Sequence, residues 1–91
     1  MGFTWLPGLF AVLADVEPGE VMQMLGGTGR RWPRRAVGPH GIPVLAILGR
    51  TKAGRPITVY ARHDGGLDYA IIAARPMTPV ELDEFEVWEA Q

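Results

Sequence analysis

The chain has 91 residues, of which 47% are apolar and 21% charged, which is typical of one small globular domain and not of a disordered chain. It contains no Cys, Ser or Asn, which excludes disulfides, thiol nucleophiles, a Ser-His-Asp hydrolase and N-glycosylation. We therefore expect residues 1–91 to form a single domain, and we expect that domain to be cytoplasmic.

Two helices are predicted in the first third of the chain. Residues 5 to 14 carry apolar side chains at helical spacing, at Leu6, Leu9, Phe10 and Leu13. The apolar stretch that contains it, from Gly2 to Ala14, is too short to cross a bilayer core of about 30 Å, so we expect no membrane association. A second, shorter helix begins at Pro18, which suits the first helical position, and ends at Gly26 and Gly27.

A long connection follows, from Thr28 to Pro43, and it is rich in Gly, Arg and Pro. Within it we expect one strand near Trp32 to Val37. This strand is predicted to lie at an edge of the sheet, because Pro33 has no backbone N–H to donate to a second neighbour.

Three further strands are predicted in the second half of the chain. Val44 to Leu48 is almost wholly apolar, and Ile57 to Arg62 and Asp68 to Ala73 have alternating side chains. The connections are short, and the second contains the hairpin signal Asp64-Gly65. Short connections between neighbouring strands indicate an antiparallel sheet.

The last helix has a complete start signal. Thr78 can cap it, Pro79 suits its first position, and Glu81 completes a capping box. Its apolar stripe consists of Leu82, Phe85 and Trp88. The predicted fold is therefore α+β, with one or two N-terminal helices, an antiparallel sheet of three to four strands, and a C-terminal helix packed on the sheet.

Basic residues are concentrated in the middle of the chain. The stretch from Gly26 to Arg62 has no acidic residue and eight basic ones, namely Arg30, Arg31, Arg34, Arg35, Arg50, Lys52, Arg55 and Arg62. Acidic residues dominate both ends. This pattern indicates an anion-binding face and a separate acidic face. The alternative is that GC-rich codon usage enriched the chain in Arg, Gly, Pro and Ala.

Two segments of the chain resemble a known family. They are GRTKAGRP, from Gly49 to Pro56, and IIAARPMTPVE, from Ile71 to Glu81. They resemble the BrnT toxins, which have a Gly-turn-Gly-Arg hairpin and an Ile-x-x-Ala-Arg-x-x-Thr-x-x-Glu junction into the terminal helix. The resemblance covers roughly residues 44 to 88. The early Lys-His-Gly element of the family is replaced here by Leu13-Ala14-Asp15.

The resemblance implies a fold, an activity and a partner. The fold would be similar to that of the RelE-type ribonucleases, and the activity would be RNA cleavage that arrests translation. The partner would be an antitoxin protein that neutralises the toxin. The resemblance assigns functional roles to Arg75 and Glu81.

Metal-free RNA cleavage requires a base, an acid and a cation that faces the charge developing on phosphorus. The catalytic candidates are Arg75, Glu81 and His63, and His40 is a further titratable group. The RNA-binding candidates are Arg62, Tyr60, Arg34, Arg35 and Arg50. We expect no cofactor and no metal, because two separate histidines without a nearby pair of carboxylates are a poor metal site.

Each candidate also has a structural interpretation. Arg75 can pair with Glu81 or Asp68, Glu81 can serve the capping box alone, and Trp32 can anchor a loop to the core instead of stacking on a base. The alternative function is a non-catalytic interaction domain that binds a partner protein or nucleic acid. A homodimer is compatible with so small a core.

Overall fold

The computed structural model describes residues 2–5, 12–27, 29–38, 41–63, 66 and 68–91. Its elements in chain order are β1 (Phe3–Trp5), β2 (Val12–Leu13), α1 (Pro18–Gly26), β3 (Trp32–Val37), β4 (Pro43–Arg50), β5 (Pro56–His63), β6 (Tyr69–Pro76) and α2 (Pro79–Glu89). The candidate base His40 and the Asp64-Gly65 turn lie outside the described residues.

The six strands form one mixed sheet in the order β1-β6-β5-β4-β3, and β2 also pairs with β6. Strands β3 to β6 form an antiparallel meander, as the short connections predicted. The turn between β4 and β5 is closed by Gly54, whose φ of 89° favours glycine. Strand β3 lies at the sheet edge, which confirms the prediction based on Pro33.

The predicted α+β fold, with its RelE/BrnT-like arrangement of N-terminal helices on a three- to four-stranded antiparallel sheet, is wrong. The ends of the predicted helix over residues 5 to 14 are strands, and residues 6–11 lie outside the described part of the chain. Both strands pair with β6 in parallel. They thereby satisfy the backbone hydrogen-bonding groups along the edge of β6 that does not face β5. The spacing of apolar residues could not reveal these two strands, because their partner β6 is far away in sequence.

The two helices pack on opposite faces of the sheet. On the α1 face, Val21, Met24 and Leu25 pack against alternate strand residues that include Ile47 and Val59. On the α2 face, Phe85 is fully buried against a second set of strand residues, including Ala46 and Leu48. Each large buried side chain contributes about 1.5 to 3 kcal/mol by leaving water. The sheet is therefore the middle of three layers.

Aromatic stacking joins α2 to the edge strand. The rings of Trp32 and Trp88 are nearly parallel, with centroids 5.3 Å apart. The guanidinium of Arg30 lies 4.3 Å from the centre of the Trp88 ring, and that of Arg34 lies 4.6 Å from the centre of the Trp32 ring. Trp32 is thus an anchor between strand and helix.

We predict that Phe85→Ala destabilises the fold by about 3 to 5 kcal/mol, because it leaves a cavity between α2 and the sheet. Urea denaturation measures the loss. The control is Val87→Ala on the same helix, whose side chain is 66% exposed and whose loss should cost less than about 0.5 kcal/mol. Equal effects of the two substitutions would contradict the packing of α2 described above.

Candidate nucleic-acid interface

The fold brings Arg75 and Glu81 together in a bidentate ion pair on the α2 face. Arg75 Nη1 donates to Glu81 Oε1 at 2.5 Å, and Nη2 donates to Oε2 at 2.9 Å. Nη2 also donates to Tyr60 Oη at 2.5 Å. The Arg75 and Glu81 side chains are 33% and 20% exposed. The structural interpretation in which Arg75 pairs with Glu81 is confirmed.

Glu81 also holds the start of α2. Its Oε1 accepts a hydrogen bond from Thr78 N at 2.9 Å, and Glu81 N donates to Thr78 Oγ1 at 3.2 Å, so the predicted capping box is confirmed. The buried Thr58 hydroxyl donates to Oε1 at 3.3 Å. Glu81 therefore links β5, β6 and the helix start.

The two charges stabilise each other in their ionised forms. Burial raises the pKa of Glu81, but the hydrogen bonds and the positive charge around it outweigh burial and leave that pKa below its ordinary value. The hydrogen bond to Glu81 raises the pKa of Arg75. A phosphate that used the carboxylate-bound edge of Arg75 would have to replace Glu81.

The three predicted catalytic residues are not assembled. Arg75 pairs across the sheet with Thr58, whereas His63 pairs with Tyr69 at the far end of β5. His63 lies five positions after Thr58 along the strand, which is about 17 Å. His63 therefore lies too far along the strand to act with Arg75 and Glu81 on one bond in this arrangement.

Three of the eight basic residues in the middle of the chain pair with acidic residues of the helices. Ion pairs join Arg34 to Glu84 at 3.3 Å, Arg50 to Glu89 at 3.0 Å, and Arg55 to Glu20 at 2.8 Å. Among the described residues, the other five have no ion-pair partner, namely Arg30, Arg31, Arg35, Lys52 and Arg62.

An aromatic row crosses the far end of the α1 face. Phe3 and His63 are both cross-strand partners of Tyr69, so three neighbouring strands each contribute a ring. The Phe3 and Tyr69 centroids are 6.0 Å apart, and the His63 and Tyr69 rings meet edge to face at 5.3 Å. His63 and Tyr69 line a groove of about 290 Å³ together with Arg35 and Leu45.

A second groove, of about 510 Å³, continues along the same face. Its lining includes Phe3, Leu45, Pro33 and Arg31. Because Leu45 lines both grooves, they adjoin. No acidic residue of the described chain lines either one. We call the surface formed by Phe3, Tyr69, His63, Leu45, Pro33, Arg31 and Arg35 the sheet platform.

The sheet platform includes only one of the predicted RNA-binding residues, Arg35. Tyr60, Arg34 and Arg50 lie on the opposite face, where each contacts a charged partner. Arg62 is exposed near the end of β5. The sequence analysis did not identify Phe3 or Tyr69 as binding residues. Tyr69 nevertheless lies in a strand that was predicted from its alternating side chains.

Other kinds of site find no support in the described parts of the chain. Residues 2–5, 12–27, 29–38, 41–63, 66 and 68–91 contain no group of three potential metal ligands, and neither helix has the length and apolar character of a membrane span. The chain matches no protein-family model, no curated protein and no solved structure in three separate comparisons.

We predict that the fold loses stability as the pH falls below about 4.5, the ordinary carboxyl value, because the pKa values of Glu20, Glu81 and Glu89 are lowered in the folded chain. The unfolded chain then binds more protons, so acid favours unfolding. Glu81→Gln should cost about 1 to 3 kcal/mol at pH 7, and this difference should shrink towards pH 3.

Urea denaturation from pH 7 to pH 3 measures both effects. Asp83→Asn, at an exposed position of α2, is the control and should follow the wild-type curve. If Glu81→Gln lowered stability by the same amount at every pH, the carboxylate would not be the source of the effect.

Proposed function

We propose that this chain is a non-catalytic domain that binds single-stranded nucleic acid on the sheet platform. The observation that carries the proposal is the combination of three aromatic side chains, Phe3, Tyr69 and His63, with two guanidiniums, Arg31 and Arg35, on one sheet face. The cytoplasmic location expected from the sequence is part of this proposal.

The chemistry of the sheet platform suits unpaired nucleotides. Bases stack on aromatic rings whatever their sequence, and arginines contact the phosphates between them. Tyr69 and Arg35 stand three strand spacings apart, about 14 Å, so a strand of a few nucleotides that crosses the sheet can reach both. A double helix could not stack its bases on these rings.

The state of Arg75 supports binding without cleavage. Its guanidinium is held by Glu81 and Tyr60, and the titratable His63 lies at the other end of the strand. Among the residues that the structure describes, the sheet platform offers stacking surfaces and cations but no carboxylate to serve as a base.

We predict that Tyr69→Ala weakens binding of a short single-stranded RNA by about 5- to 100-fold, because one stacked base is worth about 1 to 3 kcal/mol. Fluorescence anisotropy of a labelled RNA, repeated at several salt concentrations, measures the affinity. Wild-type affinity should fall with added salt, because phosphate contacts release counterions. A DNA strand of the same sequence tests whether the ribose 2′-hydroxyl contributes to the affinity.

Two adjacent arginines provide a matched control. Arg35→Gln removes a cation from the sheet platform, whereas Arg34→Gln removes one that pairs with Glu84 on the opposite face. Only the first should weaken binding and reduce the salt dependence. The proposal fails if the wild type does not bind, or if the two variants bind equally well.

A second candidate function is RNA cleavage by a toxin that an antitoxin protein neutralises. The contact among Arg75, Glu81 and Tyr60 supports it, because a cation, a carboxylate and a hydroxyl meet at one point. Arg75 would then have to exchange Glu81 for a phosphate when RNA binds.

For this candidate, purified protein should cleave RNA in the presence of a chelator, and Arg75→Ala should slow cleavage by about 100-fold or more. Glu89→Gln is the control, because it breaks another ion pair between the sheet and α2 without removing a candidate RNA-binding residue. Circular dichroism verifies that both variants fold. Intact RNA after incubation with wild-type protein would eliminate this candidate.

A further inference from the structure

A third groove lies where both helices end. Its volume is about 710 Å³, and it is bounded by the end of α1, the glycine-rich segment after it, the turn that follows β4 and the end of α2. The charged and hydroxyl side chains that line it are Arg30, Arg31, Arg50, Lys52, Thr51 and Glu89. Neither proposed function uses Lys52 or Thr51.

The charge of this groove is positive. Four cations face one carboxylate, and Glu89 is matched by Arg50 at 3.0 Å. Lys52 has no ion-pair partner among the described residues. Each helix end adds about half a negative charge, which is less than the excess of cations, so the groove remains positive.

Arg30 and Arg31 are held in place by backbone oxygens. Arg30 Nη1 donates to the backbone oxygens of Glu89 at 2.7 Å and Gln91 at 2.8 Å, and Arg31 Nη1 donates to that of Leu25. Each guanidinium is anchored through one nitrogen. The described contacts leave its other N–H groups available to a ligand.

The turn that carries Lys52 is fixed as well. The buried Thr51 accepts a hydrogen bond from Arg55 N through its hydroxyl at 3.1 Å, and Lys52 N donates to the side chain of Gln23 on α1 at 3.3 Å. A cation on an anchored turn loses less conformational entropy when it binds an anion than one on a loose loop.

We propose that this groove is a phosphate-binding site in which Arg31 and Lys52 contact the phosphate and Arg30 adds positive charge. The phosphate can belong to a free phosphorylated compound or to the phosphorylated end of a nucleic-acid strand. Only the second source rests on the proposed nucleic-acid function. Arg31 lines both this groove and the sheet platform, so the two sites adjoin.

Calorimetric titration of the full chain with inorganic pyrophosphate at low salt tests the proposal. Lys52→Gln and Arg31→Gln should each weaken binding by about tenfold, which is typical of one charged hydrogen bond. Arg62→Gln, an exposed arginine elsewhere, should not change it. Pyrophosphate should also raise the thermal unfolding midpoint of the wild type and of Arg62→Gln. The increase should be smaller for Lys52→Gln and Arg31→Gln.

The Lys52 side chain has no described partner, so Lys52→Gln remains informative even if Arg31→Gln fails to fold. The proposal is overturned if pyrophosphate does not bind saturably to the wild type. It is also overturned if Lys52→Gln binds pyrophosphate as tightly as Arg62→Gln does.

A second pair of titrations identifies the source of the phosphate. RNA of one sequence is compared with and without a 5′-phosphate. If the phosphate tightens binding to the wild type but not to Lys52→Gln, the site accepts a strand end. If pyrophosphate binds but the 5′-phosphate has no effect, the site accepts a free compound, and both results support a phosphate site. Tyr69→Ala should retain pyrophosphate binding, so failure of one site does not imply failure of the other.

Discussion

Pairing between the arginines of the sheet and the acidic groups of the helices is the interaction on which much of this structure depends. The apolar contact of α2 is narrow, since Phe85 is its one buried side chain among the described residues. Arg34, Arg50 and Arg75 each reach a glutamate of that helix. Single exposed pairs contribute little, but several pairs on one interface also fix the angle at which the helix lies. With Arg55, which pairs with Glu20 of α1, four of the nine basic residues take part in such pairs.

The two faces of the sheet differ in what they leave for a ligand. The α2 face is covered by the helix and the stacked tryptophans, and its strand arginines pair with glutamates of the helix. On the α1 face, the helix packs over Ile47 and Val59, and the aromatic row with Phe3 and Tyr69 lies beyond it at the end of the sheet. The surface that we propose for ligand binding therefore lies on the opposite side of the sheet from Arg75.

Sequence patterns predicted the parts of this fold that depend on neighbours in the chain. The capping box of α2, the edge position of β3 and the meander all follow from local spacing or from one proline. The pairing of Arg75 with Glu81 was one of two predicted options, but ion pairs between distant residues were harder to predict, because Arg34 and Glu84 are 50 residues apart in sequence. The sheet platform was hidden for the same reason, because Phe3 joins Tyr69 only through parallel pairing between β1 and β6, which are far apart in sequence.

Arg30 and Arg31 are neighbours in sequence, yet they bind helices on opposite faces of the sheet. Extended backbone points successive side chains to opposite sides, so Arg30 reaches the end of α2 and Arg31 the end of α1. These two neighbouring residues therefore hold the ends of both helices against the same segment of the chain. Inserting one residue between Arg31 and Trp32 would turn both arginines away from their carbonyls at once. Length changes at this point should therefore be far less tolerated than substitutions.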